Sequence, residues 1–468
     1  MKTDILGPID RATTLHPFTP LSDFADGRLG EPRFVTGGRG IRVQVNGQEI
    51  IDGFGGLYCV NVGYGRPEVA DAIARQAHTL AYYHTYAGHT TEPLVHLSER
   101  LVAAAPGRMS KVFYGLSGSD ANETQAKLVW YYNNLRDKPK KKKIIARERG
   151  YHGCTVISGS MTGMSFYHDL MDLPLRDIIL RTGVPHHYWG ATPGESEQEF
   201  SQRRARELEE LIVREGPETV GAFIAEPVLG TGGIIPPPAG YWPAIQAVLR
   251  RYDVLLILDE VITAFGRIGA PFGAFRYDIV PDLITVAKGL TSAYVPMSAV
   301  LIGESVWEVM KAGSSRAGAF SHGYTYSGHP LAAAAANAAL DIVDKEHLSD
   351  NAANVGAYLQ ERLRRAFSAH PLVGEIRGIG LLAALELVAD RAAKKRFEPA
   401  AKVGARLSQA CLKRGLIARA MPHGDILGLA PPLIARASDV DEIVDIIELS
   451  MKDVVEQLAK DGFNTRDG

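Results

Sequence analysis

Residues 254 to 291 read VLLILDEVITAFGRIGAPFGAFRYDIVPDLITVAKGLT. Two short apolar runs in it, Val254 to Leu258 and Leu283 to Ala287, have strand character, and each ends in a charged residue, Asp259 after the first and Lys288 after the second. In an open, mainly parallel sheet covered by helices, the carboxyl ends of neighbouring strands face one crevice, and ligands bind there. If these two strands are neighbours, the sheet itself sets a carboxylate and an amine close together.

The residue types then suggest a chemistry. Lys288 precedes Gly289, which lets the backbone turn sharply and a ligand approach closely. An amine in such a pocket can lose its proton and attack a carbonyl carbon. Asp259 can keep a pyridine nitrogen protonated, because an adjacent anion favours the charged form. Together they point to pyridoxal phosphate, with Lys288 as its covalent anchor and Asp259 as the partner of the ring nitrogen. Val261, two residues beyond the carboxylate, is placed to pack on a ring face. Working outward, Phe113-Tyr114-Gly115-Leu116-Ser117-Gly118-Ser119-Asp120 joins an apolar run to a helix. Small residues at a helix start leave free N–H groups and a favourable dipole for an anion, which makes Gly118 and Ser119 candidates for a phosphate cup.

The rest of the chain sets bounds. With 468 residues, 46% hydrophobic and 22% charged, it has material for a large core and two domains. A net charge of −2 leaves no electrostatic footprint for nucleic acid. Cys59, Cys154 and Cys411 show no metal-ligand spacing, so no metal is expected, and they suit a reducing cytoplasm. The first residues lack an apolar targeting core, and no run is long enough to span a bilayer. Residues 1 to about 30 read as an extended arm. Asn46-Gly47 within IRVQVNGQEI signals a hairpin. The run Lys140 to Lys143 reads as a solvated turn before a strand. Residues 376 to 388, IRGIGLLAALELV, read as a turn and a strand. His186 and His187 read as surface or core residues.

LDEVITAFGR, PDLITVAKGL and the later HGYTYSGHP, in this order, resemble the class III pyridoxal-phosphate aminotransferases, and the likeness runs from about His16 to Pro432. The resemblance implies an α/β fold, the pyridoxal-phosphate-dependent transferase fold type I. Its large domain has a mostly parallel sheet over residues 66–330. A smaller α+β domain is formed by both termini, residues 1–65 and 331–468. It also implies site roles. Tyr151 stacks on the cofactor ring, and Glu226 lies beside the cofactor, where it can pair with an arginine. Tyr324 and Thr325 reach the phosphate of the other subunit. Phe18, Tyr58, Tyr86, Tyr151 and Thr231 line the substrate pocket, and Arg419 forks onto a substrate carboxylate. A site completed by its neighbour requires a homodimer, with a tetramer left open.

Ile262 and Gly428 bear on the substrate. Family members acting on ornithine, acetylornithine or 4-aminobutyrate usually carry Gln at the first position, and ornithine-type members place an arginine at the second. The combination Ile262, Gly428 and Arg419 resembles the ω-amino acid (amine):pyruvate transaminase group instead, whose stereochemical preference is S. The rival readings are a related decarboxylase or aminomutase, and a catalytically silent pyridoxal-phosphate-binding protein.

Overall fold

The computed structural model describes residues 2–463. Its centre is a seven-stranded sheet in the order Met109–Gly115, Ser298–Gly303, Leu283–Val286, Leu255–Asp259, Val220–Ala225, Lys143–Arg147, Ile179–Thr182. The last five of these run parallel, and Ser298–Gly303 lies antiparallel to both of its neighbours. Every residue of Val220–Ala225 and Leu255–Asp259 is buried, as expected where helices cover both faces.

The two-residue period of a strand sorts side chains into two layers. Ile144, Ala222 and Ile257 pack with Ala121 and Leu128 of helix Gly118–Leu135. Ile145, Phe223, Leu256 and Leu258 pack with Leu208 and Ile212 of helix Glu197–Glu215 and with Ile245 and Leu249 of helix Tyr241–Arg251.

The hairpin is present: Arg42–Val45 pairs with Gln48–Asp52, and Asn46 and Gly47 both take positive φ, 49° and 82°. Leu416–Ile417 from the far end of the chain adds to it in parallel. A separate sheet, Val373–Ile379, Leu382–Leu387, Ile426–Leu429 and Arg419–Ala420, lies in one core with helices Leu348–Phe367 and Ala437–Lys460. Among the described residues no helix is long and apolar enough to cross a membrane.

Three expectations need correction. The N-terminal arm is not extended throughout; it carries helices Lys2–Thr13 and Leu21–Ala25. The helical spacing of Ile5 and Ile9 is interrupted by Pro8, which masked it, and both isoleucines remain exposed. The segment after Gly374 is not a turn and one strand but a hairpin of two, turning at Gly380 with φ 55°. The lysine run is not wholly solvated. Lys141 is buried, and its Nζ donates to the carbonyls of Val220 (2.8 Å), Tyr252 (3.0 Å) and Pro217 (3.3 Å). Burial lowers its pKa to about 8. Three converging carbonyls are the partners that a buried ammonium needs, and nothing local in the sequence announces them.

Candidate active site

The strands Leu255–Asp259 and Leu283–Val286 are parallel neighbours, with Asp259 opposite Thr285. Their carboxyl ends open into a cavity of about 310 Å³ whose lining includes Ser119, Tyr151, Glu226, Asp259, Val261 and Lys288. Lys288 opens a short turn in the left-handed region, at φ 45°. The turn is seated closely: a Cβ on Gly289 would lie 2.4 Å from Nδ2 of Asn61, so no side chain fits there. Asn61 is itself fixed, accepting from Arg267 (2.9 Å) and donating to the carbonyl of Phe265 (3.1 Å).

Asp259 is 4% exposed. Its Oδ2 accepts from Asn122 Nδ2 (2.8 Å) and from His152 Nδ1 (2.8 Å), and its Oδ1 accepts from the Val261 amide (3.1 Å). Since a carboxylate only accepts, the His152 hydrogen is assigned to Nδ1. Asn122 in turn accepts from Thr285 Oγ1 (2.7 Å), which accepts from Gln125 (3.1 Å). Among the described residues no lysine or arginine joins this network. Sequence reasoning named neither Asn122 nor His152. The available signals were the position of Asn122 four residues into the helix from Gly118, and that of His152 beside Tyr151.

The helix start is built as a cap. Ser117 Oγ accepts from the Asp120 amide (3.2 Å), while Asp120 accepts from the amides of Ser117 (3.0 Å) and Leu116 (2.9 Å). This capping box uses the donors before the helix and leaves the amides of Gly118 and Ser119 without intrahelical acceptors. A Cβ on Gly118 would approach Val261 Cγ2 to 3.1 Å, so Val261 faces the cap closely.

Glu226 is buried, and its oxygens accept from the amides of Tyr151 (3.1 Å) and Gly230 (2.7 Å). Burial raises its pKa. The expected pairing with an arginine takes another form, because Arg147 Nη2 donates to the backbone carbonyl of Glu226 (2.6 Å) and not to its carboxylate.

The remaining expected residues divide into two groups. Tyr58 is buried, with φ 65°, and its hydroxyl meets Met421 Sδ at 3.8 Å. Arg419 packs over the Phe54 ring at 5.5 Å and lies close enough to Tyr58, Tyr151 and Tyr167 to favour their ionised forms. Burial outweighs this and raises all three phenols. Tyr167, not named from sequence, bridges Tyr151 (5.3 Å) and the 75% exposed Phe18 (5.2 Å). Thr231 is buried in the loop that follows Glu226. Of the expected pocket residues only Tyr151 lines the 310 Å³ cavity itself; Phe18, Tyr58, Thr231 and Arg419 do not, and the second group lies elsewhere. Tyr86 and Tyr324 line another, and Tyr324 is engaged within its own chain, donating to the Asp120 carbonyl (3.0 Å) beside Thr124 (3.1 Å). Thr325 is exposed, and its carbonyl accepts from Tyr82 (2.5 Å).

Pyridoxal phosphate fits these residues. Gly118 and Ser119 could hold its phosphate, the uncompensated Asp259 could hold a protonated ring nitrogen, and Val261 and Tyr151 could flank the ring within reach of Lys288. The comparisons agree. The pattern of the family "Aminotransferase class-III" matches residues 26–451. The chain is 68% identical to the uncharacterised aminotransferase y4uB of Sinorhizobium fredii, with 97% of each covered. It is 56% identical to a diaminobutyrate–2-oxoglutarate transaminase of Halomonas elongata, again with 97% of each covered. The omega transaminase of Pseudomonas jessenii in complex with PMP is 42% identical, with a TM-score of 0.94 over 97% of this chain and 99% of that one. The chain belongs to the class III aminotransferases, pyridoxal-phosphate-dependent enzymes of fold type I.

Proposed function

We propose that this aminotransferase moves the amino group of an amine or ω-amino acid to pyruvate, giving alanine. The observation that carries this reading is Arg419, which packs over the Phe54 ring and lies close to Tyr58, Tyr151 and Tyr167. Arg419 makes no ion pair with a carboxylate among the described residues, and Lys288 is the only lysine or arginine lining the cavity. One free guanidinium suits one carboxylate. Pyruvate has one, whereas 2-oxoglutarate has two. Ile262 adds an apolar wall, and the room beside Gly428 is taken by Met421 Sδ, 2.6 Å from where a Cβ would stand.

Bound pyridoxal phosphate supplies an electron-accepting ring and a carbon that takes up the amino group. Gly118 and Ser119 would hold its phosphate through backbone amides. Asp259, oriented by Asn122 and His152, holds the proton on the ring nitrogen. Lys288 Nζ would anchor the cofactor and, once the incoming amine displaces it, serve as the base that takes the proton from the substrate carbon bearing the amino group. Tyr151 and Val261 would flank the ring, and Glu226 fixes the backbone at Tyr151 and Gly230. Phe18, Tyr58 and Thr231 bound the donor's side, and Arg419 binds the keto acid. The first product leaves before the acceptor enters, so kinetics are ping-pong.

Tyr86, Tyr324 and Thr325 lie away from their own chain's cavity, which supports a homodimer in which they complete the neighbour's site. The three unpaired cysteines suit a cytoplasmic enzyme.

The relative from Halomonas elongata favours a second reading, with 2-oxoglutarate as acceptor and diaminobutyrate as donor. The deciding experiment follows the visible absorbance of the bound cofactor while β-alanine, 4-aminobutyrate, 2,4-diaminobutyrate and 1-phenylethylamine are added singly. Bleaching reversed by pyruvate and not by 2-oxoglutarate is expected. The opposite selectivity would establish the second reading.

A further inference from the structure

Behind the loop that carries Thr231 lies a buried ionic cluster to which the mechanism assigns no part. Glu375 and Glu386 are cross-strand partners in the hairpin Val373–Ile379, Leu382–Leu387. Like charges directly opposed on a sheet are destabilising, and Glu386 is 1% exposed. Arg377 relieves them: its Nη1 lies 2.7 Å from Glu375 Oε2 and 2.8 Å from Glu386 Oε2. Trp189 Nε1 donates to Glu386 Oε1 (2.7 Å), and His186 Nε2 sits 2.8 Å from Glu375 Oε2. His186, Glu375 and Glu386 bring metal-ligand atoms within 4.8 Å of one another, but a cation entering there would meet the guanidinium already between the carboxylates.

The other edge of Arg377 faces the loop. Its Nε and Nη2 donate to the Gly233 carbonyl (3.1 and 2.6 Å), and Nε also reaches the Ile234 carbonyl (3.0 Å). Arg149 Nε donates to the Gly232 carbonyl (2.8 Å), and its Nη1 lies 3.3 Å from His186 Nδ1. The fit leaves no slack, because a Cβ on Gly233, whose φ is +130°, would lie 2.6 Å from Arg149 Nη2. On the loop's opposite side Gly230 donates to Glu226 and abuts Ile262, both of which line the cavity. The residues 230–234 are thus held between the cavity wall and the two guanidiniums.

We propose that Arg377, aimed by the opposed pair Glu375 and Glu386 and joined by Arg149, is a positioning residue that fixes the Thr231 loop and thereby sets how the site admits its amine donor. A planar fork can serve two carboxylates on one edge and two carbonyls on the other, which an ammonium cannot do. The inference rests on the reading that Thr231 borders the donor.

The test uses the holoenzyme and whichever donors of the half-reaction panel convert. Arg377→Lys keeps a positive charge beside the acids and loses the fork. It is expected to raise the donor KM roughly fivefold or more, while the keto acid KM stays within about twofold and the absorbance of the bound cofactor is unchanged. In a Thr231→Ala background the same change should add less than about twofold, since residues acting as one unit are not additive. Equal rises in both KM values, no rise, or an undiminished rise in an affected Thr231→Ala background would overturn the proposal. If Thr231→Ala is silent while Arg377→Lys still raises the donor KM, the reading of Thr231 fails and the clamp acts through the loop backbone. Should Arg377→Lys not fold, Glu375→Gln, whose side chain is 25% exposed, is expected to raise the donor KM about twofold to threefold, and no rise would overturn the proposal.

Discussion

Two groups of buried or half-buried carboxylates in this molecule are treated in opposite ways. Asp259 is held by an amide, an imidazole and a backbone N–H, all arranged around it and none of them an arginine or lysine. Glu375 and Glu386 face each other across a hairpin with Arg377 between them. The second arrangement is closed, with opposite charge supplied by the chain itself. The first is open. A buried carboxylate stays ionised only if something compensates it, and around Asp259 the chain supplies orientation without a full countercharge. That is what a site for a cationic ring nitrogen requires, whereas the Glu375 and Glu386 pair is what a structural joint requires.

The comparison can be broken by removing one carboxylate from each. Glu386→Ala leaves Arg377 with less compensation in a buried position and should destabilise the fold by about 3–5 kcal/mol, read by chemical denaturation. A loss below about 1 kcal/mol would mean that the cluster is not closed. Asp259→Asn should change stability by no more than about 1 kcal/mol and lower kcat/KM by roughly 10²–10³-fold, the range seen when one preorganised electrostatic contact is removed from a site. A large stability loss with activity retained would reverse the assignment. Arg419→Ala sharpens the contrast from the substrate's side. Its guanidinium has no carboxylate partner among the described residues, so removal should raise the KM for pyruvate about tenfold, as expected for a hydrogen-bonded charge contact, and change that for an uncharged amine little. Equal effects on both would remove its role.

The last effect is one of pH. His423 lies near Arg149, Arg396 and Glu386, and burial first, then the two arginines, lowers its pKa from 6.5 to about 4. The unfolded chain takes up this proton near pH 6.5, and the folded chain does so only near pH 4. The contribution to stability is therefore complete above about pH 6.5 and is lost as the pH falls toward 4. His423→Asn should flatten the decline of Tm across that window. An unchanged slope would show that the closed cluster does not exclude the proton.

Local patterns carried much of the reading. Asp259 and Lys288 stood out because charges at the ends of apolar runs are visible in a linear string, and Asn46-Gly47 because turn chemistry is local. The helix Lys2–Thr13 was hidden by Pro8, since a local breaker outweighed a short periodicity. The partners of Asp259 were out of reach for a different reason. Asn122 is 137 residues away in the chain and His152 is 107, and only strand order brings a helix start and a loop onto one carboxylate. Lys141 shows the same limit, its three carbonyls coming from two distant segments, residues 217–220 and Tyr252.

What the sequence by itself determined was therefore the chemistry at two strand ends, the helix start able to take an anion, and the family to which they belong, because each depends on residues adjacent in the chain. Which buried charges are left open for a ligand and which are closed for structure was decided only by the tertiary fold. Compensation is a matter of distance in space, and Glu375, Glu386, Arg377 and Arg149 become one cluster only when the C-terminal hairpin packs behind the loop of the large sheet.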